Sequence, residues 1–306
     1  MPAEQKNDQI KDLRVVIIGL GLMGGSLAMA LKPFVKSIIA VDTNLQTLET
    51  AKELGLVIEA TSDLASGIRK ADLLVLSTPV NTIINLLNQI PSVKADGCMI
   101  IDFGSTKRAI CETMDQLPDR FGAIGGHPLC GKEVSGLNEA QADLFKNRSF
   151  VLCPGDRSSK EVESIAVQVI DAIGAYPVFL TPTKHDAIVS ATSHLPYVVS
   201  TILFSLVSSQ ATESHWNVSA SGFKDSTRLA GSDPTMMADI LRSNRDQVIV
   251  QIAEYQIELA RFKELLESQD DAALSKMLDN IQKRHQHYRQ YLSAKEVKEI
   301  AAGNDE

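Results

Sequence analysis

The sequence lacks the patterns that mark a disulfide framework, a zinc site, an exported protein or a nucleic-acid-binding surface. It has four cysteines and no C-x-x-C pair, so the thiols fit a reduced cytoplasmic protein and predict neither a disulfide nor a metal site. The net charge is −8 at pH 7, and basic residues are scattered among acidic ones, which argues against nucleic acid or an anionic membrane as a partner. The first 13 residues are polar and lack the apolar core of a signal peptide, so we expect a cytoplasmic location.

One long stretch lacks charge altogether. Residues 187–212 contain no Asp, Glu, Lys or Arg, and a stretch of this length raises the question of a membrane span. Ser and Thr residues, His194 and Pro196 interrupt it. We therefore expect a helix buried on all sides in a soluble core rather than a helix in a bilayer.

Residues 14–31, RVVIIGLGLMGGSLAMAL, predict a dinucleotide-binding turn between a strand and a helix. The apolar run at residues 15–18 is typical of a buried central strand, and glycines follow it in G-x-G-x-x-G spacing. The glycines permit a tight turn and the close approach of a pyrophosphate, and the helix N-terminus offers free N–H groups to the anion. We assign cofactor contacts to Gly19, Gly21, Leu22, Met23 and Gly24.

An acidic residue supports this assignment, since the glycine motif alone is a weak signal. Asp42 closes the next predicted strand, residues 37–41, 18 positions after Gly24. A carboxylate there accepts hydrogen bonds from a ribose and repels a 2′-phosphate, and the following Thr43 and Asn44 provide no arginine for that phosphate. The pattern favours NAD over NADP. The alternative is a glycine-rich turn of purely structural origin.

Predicted strands alternate with helices as far as residue 181 and then stop. Further apolar strands are predicted at residues 72–78, 98–103, 121–125, 149–153 and 176–180, and a glycine-rich loop at residues 125–136. Helical periodicity dominates after residue 181, notably over residues 235–267 and 272–292, with a capping box at Ser268 and Asp271 and a short disordered tail after Lys295. The pattern predicts an N-terminal Rossmann-type, doubly wound α/β domain over residues 1–181 and an all-α C-terminal domain over residues 182–306. Because long hydrophobic helices need a partner surface, we expect a homodimer through the helical domain, with the charged residues 261–267 facing outward.

Polar residues follow several predicted strands, at the edge where open α/β sheets bind ligands. Thr78 and Pro79 follow one strand and are expected near the cofactor, as is Ser105 after another. Ser105 and Lys107 are candidates for chemistry, and the alternative is a helix cap beside a solvated lysine. His127 lies in the glycine-rich loop, where catalytic groups often sit, and the alternative is a plain surface histidine.

Three more candidates lie in the helical half. Arg228 falls in the polar segment GFKDSTRLAGSDP, where an ion pair with Asp225 is the alternative to a binding role. His185 and His194 lie nine residues apart around the first helix of this half. Either histidine could instead be a buried, hydrogen-bonded core residue.

Five motifs carry a family resemblance. They are DFGSTK at residues 102–107, GGHPLCG at 125–131, KHDA at 184–187, SHLPY at 193–197 and KDSTRLAGSDP at 224–234. The sequence resembles the prephenate and arogenate dehydrogenases, in which these motifs occur in the same order, and the resemblance covers about residues 13–290. That family makes tyrosine precursors in aromatic amino acid biosynthesis.

The resemblance implies an NAD-dependent oxidative decarboxylation of prephenate, with arogenate or both compounds as the alternative substrates. His127 matches the catalytic histidine that takes the proton of the substrate 4-hydroxyl, and Ser105 would orient the histidine and the hydroxyl. Arg228 matches the arginine that holds a substrate carboxylate, and Lys107 would brace the loop. The substrate pocket is expected to include Arg228, His185, His194 and Tyr197.

The sequence departs from the family pattern at two positions. Tyr197 stands where many members have a second histidine, and Met237 replaces an aromatic residue. Nothing after the helices resembles the regulatory domain of some relatives, so tyrosine inhibition would have to act at the active site. Two other functions stay open: a β-hydroxyacid dehydrogenase or imine reductase of the same architecture, and an NAD-sensing protein without chemistry.

Overall fold

The computed structural model describes residues 9–131 and 134–304, with side chains as far as residue 293. Residues 1–8 of the polar N-terminal segment, and Lys132 and Glu133 of the predicted loop, lie outside the described residues. The chain divides into two compact units, the first ending at Val248 and the second beginning at Ile249. The predicted domain boundary at residue 181 falls inside the first unit, where the last strand gives way to helices.

The first unit contains one eight-stranded sheet in the order β3-β2-β1-β4-β5-β6-β7-β8. The strands are β1 (Arg14–Ile18), β2 (Ser37–Val41), β3 (Glu59–Thr61), β4 (Leu73–Leu76), β5 (Met99–Asp102), β6 (Gly122–Pro128), β7 (Ser149–Cys153) and β8 (Tyr176–Phe179). All neighbouring strands are parallel except β6 and β7, which pair antiparallel. The reversal of strand order beside β1 is the switch point at which such sheets bind ligands.

Helices connect many of the strands and dominate the described chain after β8. The first six are α1 (Leu22–Leu31), α2 (Leu45–Glu53), α3 (Leu64–Ile68), α4 (Val80–Val93), α5 (Arg108–Asp115) and α6 (Lys160–Ala172). The remaining seven are α7 (Pro182–Val189), α8 (Leu195–Ser208), α9 (Glu213–Asn217), α10 (Ser221–Thr227), α11 (Pro234–Ser243), α12 (Arg245–Glu267) and α13 (Asp271–Asn304).

The core lies on both faces of the sheet. Along β1, Val15 and Ile17 belong to one buried cluster with Leu27 of α1, while Val16 and Ile18 belong to a second. Alternate residues of a strand point to opposite faces, so an unbroken apolar strand requires cover on both sides. The predicted doubly wound α/β domain followed by helices is therefore confirmed.

Several predicted elements were wrong in extent. The segment predicted as loop from Gly125 begins as strand, since β6 continues through His127 to Pro128 and pairs with β7. Short edge strand β3 was missed. The helix predicted over residues 235–267 breaks at Asn244, and Asp270 caps α13 in place of Ser268. The tail predicted to be disordered continues as helix to Asn304.

The uncharged stretch 187–212 is also not one buried helix. Helices α7 and α8 are joined by a π-helical turn at Ser190–His194. Among the described residues, Pro182–Ser208 is the segment long and apolar enough to cross a membrane by length and composition. The expectation of burial on all sides is wrong for the single chain, because Ile202, Phe204 and Leu206 of α8 are exposed.

Candidate active site

The glycine turn after β1 forms a cradle with room for a ligand. Gly19 has a φ of +91°, which a residue with a side chain rarely adopts, and a Cβ there would lie 2.6 Å from the carbonyl oxygen of Ser77. A Cβ on Gly21 would meet nothing within 4 Å. Gly21 precedes α1 without a side-chain cap, so the first N–H groups of that helix are available to an anion.

Asp42 fixes the glycine turn as well as facing the predicted ribose site. Its Oδ2 accepts a hydrogen bond of 2.7 Å from the backbone N–H of Leu20, and its Oδ1 accepts one of 2.8 Å from that of Asn44. Each carboxylate oxygen accepts more than one hydrogen bond, so ribose hydroxyls fit beside these contacts. The link from Asp42 to Leu20 was not predicted from the sequence.

Two buried hydroxyls next to the cradle support a bound cofactor. Ser77 Oγ and Thr78 Oγ1 follow β4, are buried, and have no hydrogen-bond partner in the part of the chain that the structure describes. Buried hydroxyls normally have partners, because an unpaired one costs about 1–3 kcal/mol. The open cradle, the free helix N-terminus and these hydroxyls fit a dinucleotide at the predicted position. Among the described residues, no group of three or more His, Cys, Asp or Glu side chains could hold a metal ion.

His127 belongs to a hydrogen-bonded chain of three side chains. Its Nδ1 lies 2.8 Å from Nε2 of His185, and Nδ1 of His185 lies 2.8 Å from Oδ1 of Asp186. A carboxylate only accepts, so His185 donates from Nδ1. With one proton on each ring, Nε2 of His185 then accepts from Nδ1–H of His127. This chain leaves Nε2 of neutral His127 without a proton, which is the form that a general base requires.

The surroundings keep His127 and His194 neutral. Burial lowers the pKa of His127 well below its usual range, and the nearby His185, Lys107 and His194 lower it further. Burial likewise lowers the pKa of His194 to about 4. Burial alone would raise the pKa of Asp186, but hydrogen bonds from His185 and from two backbone N–H groups outweigh it and lower that pKa. Asp186 therefore accepts as a carboxylate while His127 is free to accept a proton.

A buried ion pair supports the strand that carries His127. Lys107 is fully buried and its ammonium group pairs with Asp102, so the alternative of a solvated lysine is wrong. Asp102 Oδ1 also accepts the backbone N–H of Gly126, at 2.9 Å. Strand β6 lies close to β5 at this point, since a Cβ on Gly126 would approach the carbonyl oxygen of Asp102 to 2.4 Å. The pair thus holds the residue before His127.

A cavity of about 410 Å³ gathers several of the predicted substrate residues. Its lining comprises Gly131, Thr192, Ser193, Pro196, Tyr197, Arg228, Leu229, Ser232 and Met237. Arg228 is the charged side chain among these, and it is exposed. Of the lining residues, Gly131 follows His127 by four positions and Ser193 immediately precedes the buried His194. A guanidinium at the edge of a cavity lined by both polar and apolar side chains suits a small carboxylate ligand.

Two family models match consecutive parts of the chain. The model of the prephenate dehydrogenase nucleotide-binding domain matches residues 27–179, and that of the prephenate dehydrogenase dimerization domain matches residues 181–280. The chain belongs to the prephenate dehydrogenase family. Members of this family are NAD-dependent oxidoreductases, so the resemblance inferred from the five motifs is confirmed.

The matches to named members of this family cover most of the chain. The prephenate dehydrogenase of Bacillus subtilis is 31% identical over 271 residues, which cover 86% of this chain and 72% of the relative. A crystal structure of prephenate dehydrogenase from A. aeolicus, in complex with hydroxyphenyl propionate and NAD+, superposes with a TM-score of 0.85 at 27% identity, covering 92% of this chain and 100% of that one. Synechocystis arogenate dehydrogenase gives a TM-score of 0.78 at 29% identity, covering 90% and 100%.

The structure places the predicted family residues in two groups. His127 and His185 are in contact, and Arg228 and Tyr197 share the cavity. Ser105, expected to orient His127, makes no hydrogen bond with it in the described part of the chain, where His185 holds that position. His194 is buried beside Asn244, whose Nδ2 lies 3.4 Å from Nδ1 of His194.

Sequence reasoning missed the side chains that hold the histidines. Asp186 orients His185, and Asn244 donates a hydrogen bond of 2.8 Å from Nδ2 to the backbone oxygen of Asp186. Asp186 and Asn244 are 58 residues apart. Asp186 is part of the KHDA motif, which was the available signal for it, whereas Asn244 lies within a helical pattern that gave none.

Proposed function

We propose that this enzyme catalyses the NAD-dependent oxidative decarboxylation of prephenate to 4-hydroxyphenylpyruvate. The observation that carries the proposal is the chain from Asp186 through His185 to His127, because it leaves His127 neutral with its proton on Nδ1. When bound, NAD+ supplies the hydride acceptor. His127 takes the proton of the substrate 4-hydroxyl at Nε2 as hydride leaves the ring carbon that bears this hydroxyl. The ring carboxylate then departs as carbon dioxide, the ring becomes aromatic, and His127 returns the proton to the oxygen of the product.

Other residues of the site bind and orient the substrate. Arg228 would hold a carboxylate of prephenate through a bidentate, charge-assisted contact, with Tyr197 beside it. Ser105 remains a predicted contact of the reacting hydroxyl. His194 remains a predicted residue of the substrate pocket. Imidazolium formed on His127 remains hydrogen-bonded to His185, and the carboxylate of Asp186 stabilises the pair.

A direct assay tests the reaction and separates the substrates. Purified enzyme should form NADH, measured at 340 nm, when given NAD+ and prephenate, and kcat/KM should be higher with prephenate than with arogenate. A higher kcat/KM with arogenate would identify an arogenate dehydrogenase, and comparable values would identify a dual-specificity enzyme. Binding of NAD+ without turnover of either compound would favour an NAD-sensing protein, and turnover of a β-hydroxyacid or imine instead would favour the other oxidoreductases.

We also propose a cytoplasmic homodimer formed through the helical half. Three large apolar side chains of α8, Ile202, Phe204 and Leu206, are exposed in the single chain. The family model that matches residues 181–280 describes a dimerization domain, which favours a second copy over a lipid bilayer as their cover. Light scattering of the wild type should give twice the chain mass, and the charged double variant I202D/L206D should shift it toward a monomer. Recovery of the wild type only in the membrane fraction would contradict this proposal.

A further inference from the structure

Two helices that begin at the ligand-binding edge of the sheet have no N-terminal cap of their own. Helix α4 begins after Pro79, which has no polar side chain, and α5 begins after Lys107, whose side chain is paired with Asp102. Carboxylates from distant parts of the chain bind the free N–H groups instead. Asp186 does so for α5, accepting from the backbone N–H of Lys107 at 2.7 Å and of Arg108 at 3.0 Å.

Asp239 of α11 binds a free backbone N–H group at the start of α4 in the same way. Its Oδ2 accepts a hydrogen bond of 3.2 Å from the backbone N–H of Asn81, and its Oδ1 accepts from the side-chain Nδ2 of the same residue. Asp239 is only 8% exposed, and Asn81 lies 158 residues earlier in the chain. A carboxylate at a helix N-terminus both satisfies N–H groups and interacts favourably with the helix dipole. Asp239 takes no part in the chemistry assigned to His127.

Helix α11 touches the substrate cavity as well as the sheet edge. Met237, two positions before Asp239, lines the cavity that holds Arg228 and Tyr197. Ser243, at the end of α11, accepts a hydrogen bond of 2.9 Å from Thr106, which follows β5. A shift of α11 that follows occupation of the cavity would therefore reach the polar ends of both β4 and β5.

The N-terminus of α4 in turn borders the dinucleotide cradle. Thr78 and Pro79 immediately precede α4, and a Cβ on Gly19 would lie 2.6 Å from both Thr78 Cγ2 and the carbonyl oxygen of Ser77. The strand end and the glycine turn are thus in direct contact. Any displacement of the first turn of α4 moves one wall of the cradle.

We propose that Asp239 is a positioning residue that couples the substrate cavity to the dinucleotide cradle. A ligand in the cavity that orders α11 also fixes the start of α4 through Asp239 and Asn81, and so raises the affinity for NAD+. By thermodynamic linkage, NAD+ raises the affinity for the cavity ligand by the same factor. The proposal rests on the proposed function for the identity of the cofactor.

Titration calorimetry tests the coupling without turnover. The dissociation constant of NAD+ is measured with and without saturating hydroxyphenyl propionate, for the wild type, D239A and S159A. Ser159 caps α6 through the backbone N–H of Val162, so S159A removes a helix cap that has no contact with α11 in the described structure. We expect the ligand to tighten NAD+ binding at least about 5-fold in the wild type and in S159A, and less than about 2-fold in D239A.

Exchanging the side chains of Asp239 and Asn81 tests whether a loss of coupling comes from this contact or from a less stable fold. In N81D alone, two carboxylates face each other and the side-chain hydrogen bond is lost, so the coupling should fall. In D239N/N81D both hydrogen bonds can form with the side chains exchanged, and the coupling should return together with the melting temperature. The single variant and the exchanged double variant also test the coupling if D239A does not fold.

The outcomes are distinct from those of the proposed function. Failure of the wild type to bind NAD+ would contradict the proposed function. Binding of NAD+ with no effect of hydroxyphenyl propionate, or equal effects in the wild type and D239A, would overturn the role of Asp239 while leaving the reaction in place. An exchanged variant that recovers its melting temperature but not the coupling would also overturn it.

Discussion

His127 and His185 meet edge to face, with 5.0 Å between their ring centroids and 2.8 Å between Nδ1 of His127 and Nε2 of His185. Asp186 can only accept, so it sets the direction of the hydrogen bonds in this chain. A carboxylate placed directly against His127 would raise the pKa of His127, whereas here the ring of His185 lies between His127 and the carboxylate of Asp186. This arrangement suits a base that must stay unprotonated at neutral pH and still share a proton once it has accepted one.

The first prediction concerns the base itself. In H127N the side chain keeps polar groups of similar size but loses the basic nitrogen, so substrate should still bind while kcat falls about 10²–10⁴-fold, the usual contribution of a general base. Steady-state kinetics with prephenate over a pH series measures KM and kcat. A kcat within a few-fold of the wild-type value would show that His127 is not the base and would make His185 or His194 the candidate.

The second prediction concerns the pH below which the enzyme loses activity because His127 becomes protonated. Because burial and nearby His185 lower the pKa of His127, neutral His127 should persist below pH 6.5, and kcat/KM should decline only on further acidification. In H185A the neighbouring ring is gone and water enters, so the pKa of His127 should rise and the decline should move to higher pH. H287A, which changes an exposed histidine of α13, should leave the profile in place.

A profile for H185A that coincides with that of the wild type would contradict the assigned contact between the two rings. A fall in kcat without any change in the pH of the decline would mean that His185 only shapes the pocket.

The sequence was informative where one local pattern determines one element. The apolar run of β1, the glycines and Asp42 lie within 29 residues, and each has a local structural reason. The sheet and the helices after it could be predicted in this way, whereas the roles given to the three histidines came from the family motifs. The extent of β6 could not, because a strand rich in glycine is stabilised by pairing with β5 and β7 on either side rather than by its own residues.

The supporting carboxylates could not be predicted for a related reason. Asp102, Asp186 and Asp239 bind groups that lie from 5 to 158 residues away, and an acidic residue in a sequence looks the same whether it is solvated or buried. The alternative of a solvated Lys107 was wrong for the same reason, since its partner carboxylate, Asp102 at the end of the preceding strand, is itself buried. Only the fold determines which of these charges are buried.

The third prediction concerns this buried pair. K107M leaves the carboxylate of Asp102 buried without its counter-ion, which should lower the free energy of unfolding by about 3–5 kcal/mol, measured by urea denaturation. D102N/K107M removes both charges and should recover a large part of that loss. K160M, which breaks an exposed pair with Glu163, should change the unfolding midpoint little. A K107M variant as stable as K160M would show that the pair is not buried in solution.

The fourth prediction concerns the choice of cofactor. Asp42 should give a clear preference for NAD+ over NADP+ in kcat/KM, because its carboxylate repels a 2′-phosphate, and D42A should narrow that preference. Asp42 also accepts the backbone N–H of Leu20, so D42A should weaken binding of NAD+ itself. D42N, which keeps an acceptor for Leu20 but removes the charge, should narrow the preference with a smaller loss of NAD+ affinity. Equal use of both cofactors by the wild type would contradict the assignment of Asp42.

The last prediction concerns Arg228 at the edge of the cavity. R228A removes a charge-assisted contact to a substrate carboxylate, so KM for prephenate should rise about 10–100-fold while the dissociation constant of NAD+, measured by calorimetry, stays the same. R228K keeps the charge but not the planar, bidentate fork, and its KM should lie between those of the wild type and R228A. If R228A instead weakened NAD+ binding and left KM for prephenate unchanged, Arg228 would support the fold or the cofactor rather than the substrate. If R228K matched the wild type, a single point charge would be sufficient, and the bidentate contact would be wrong.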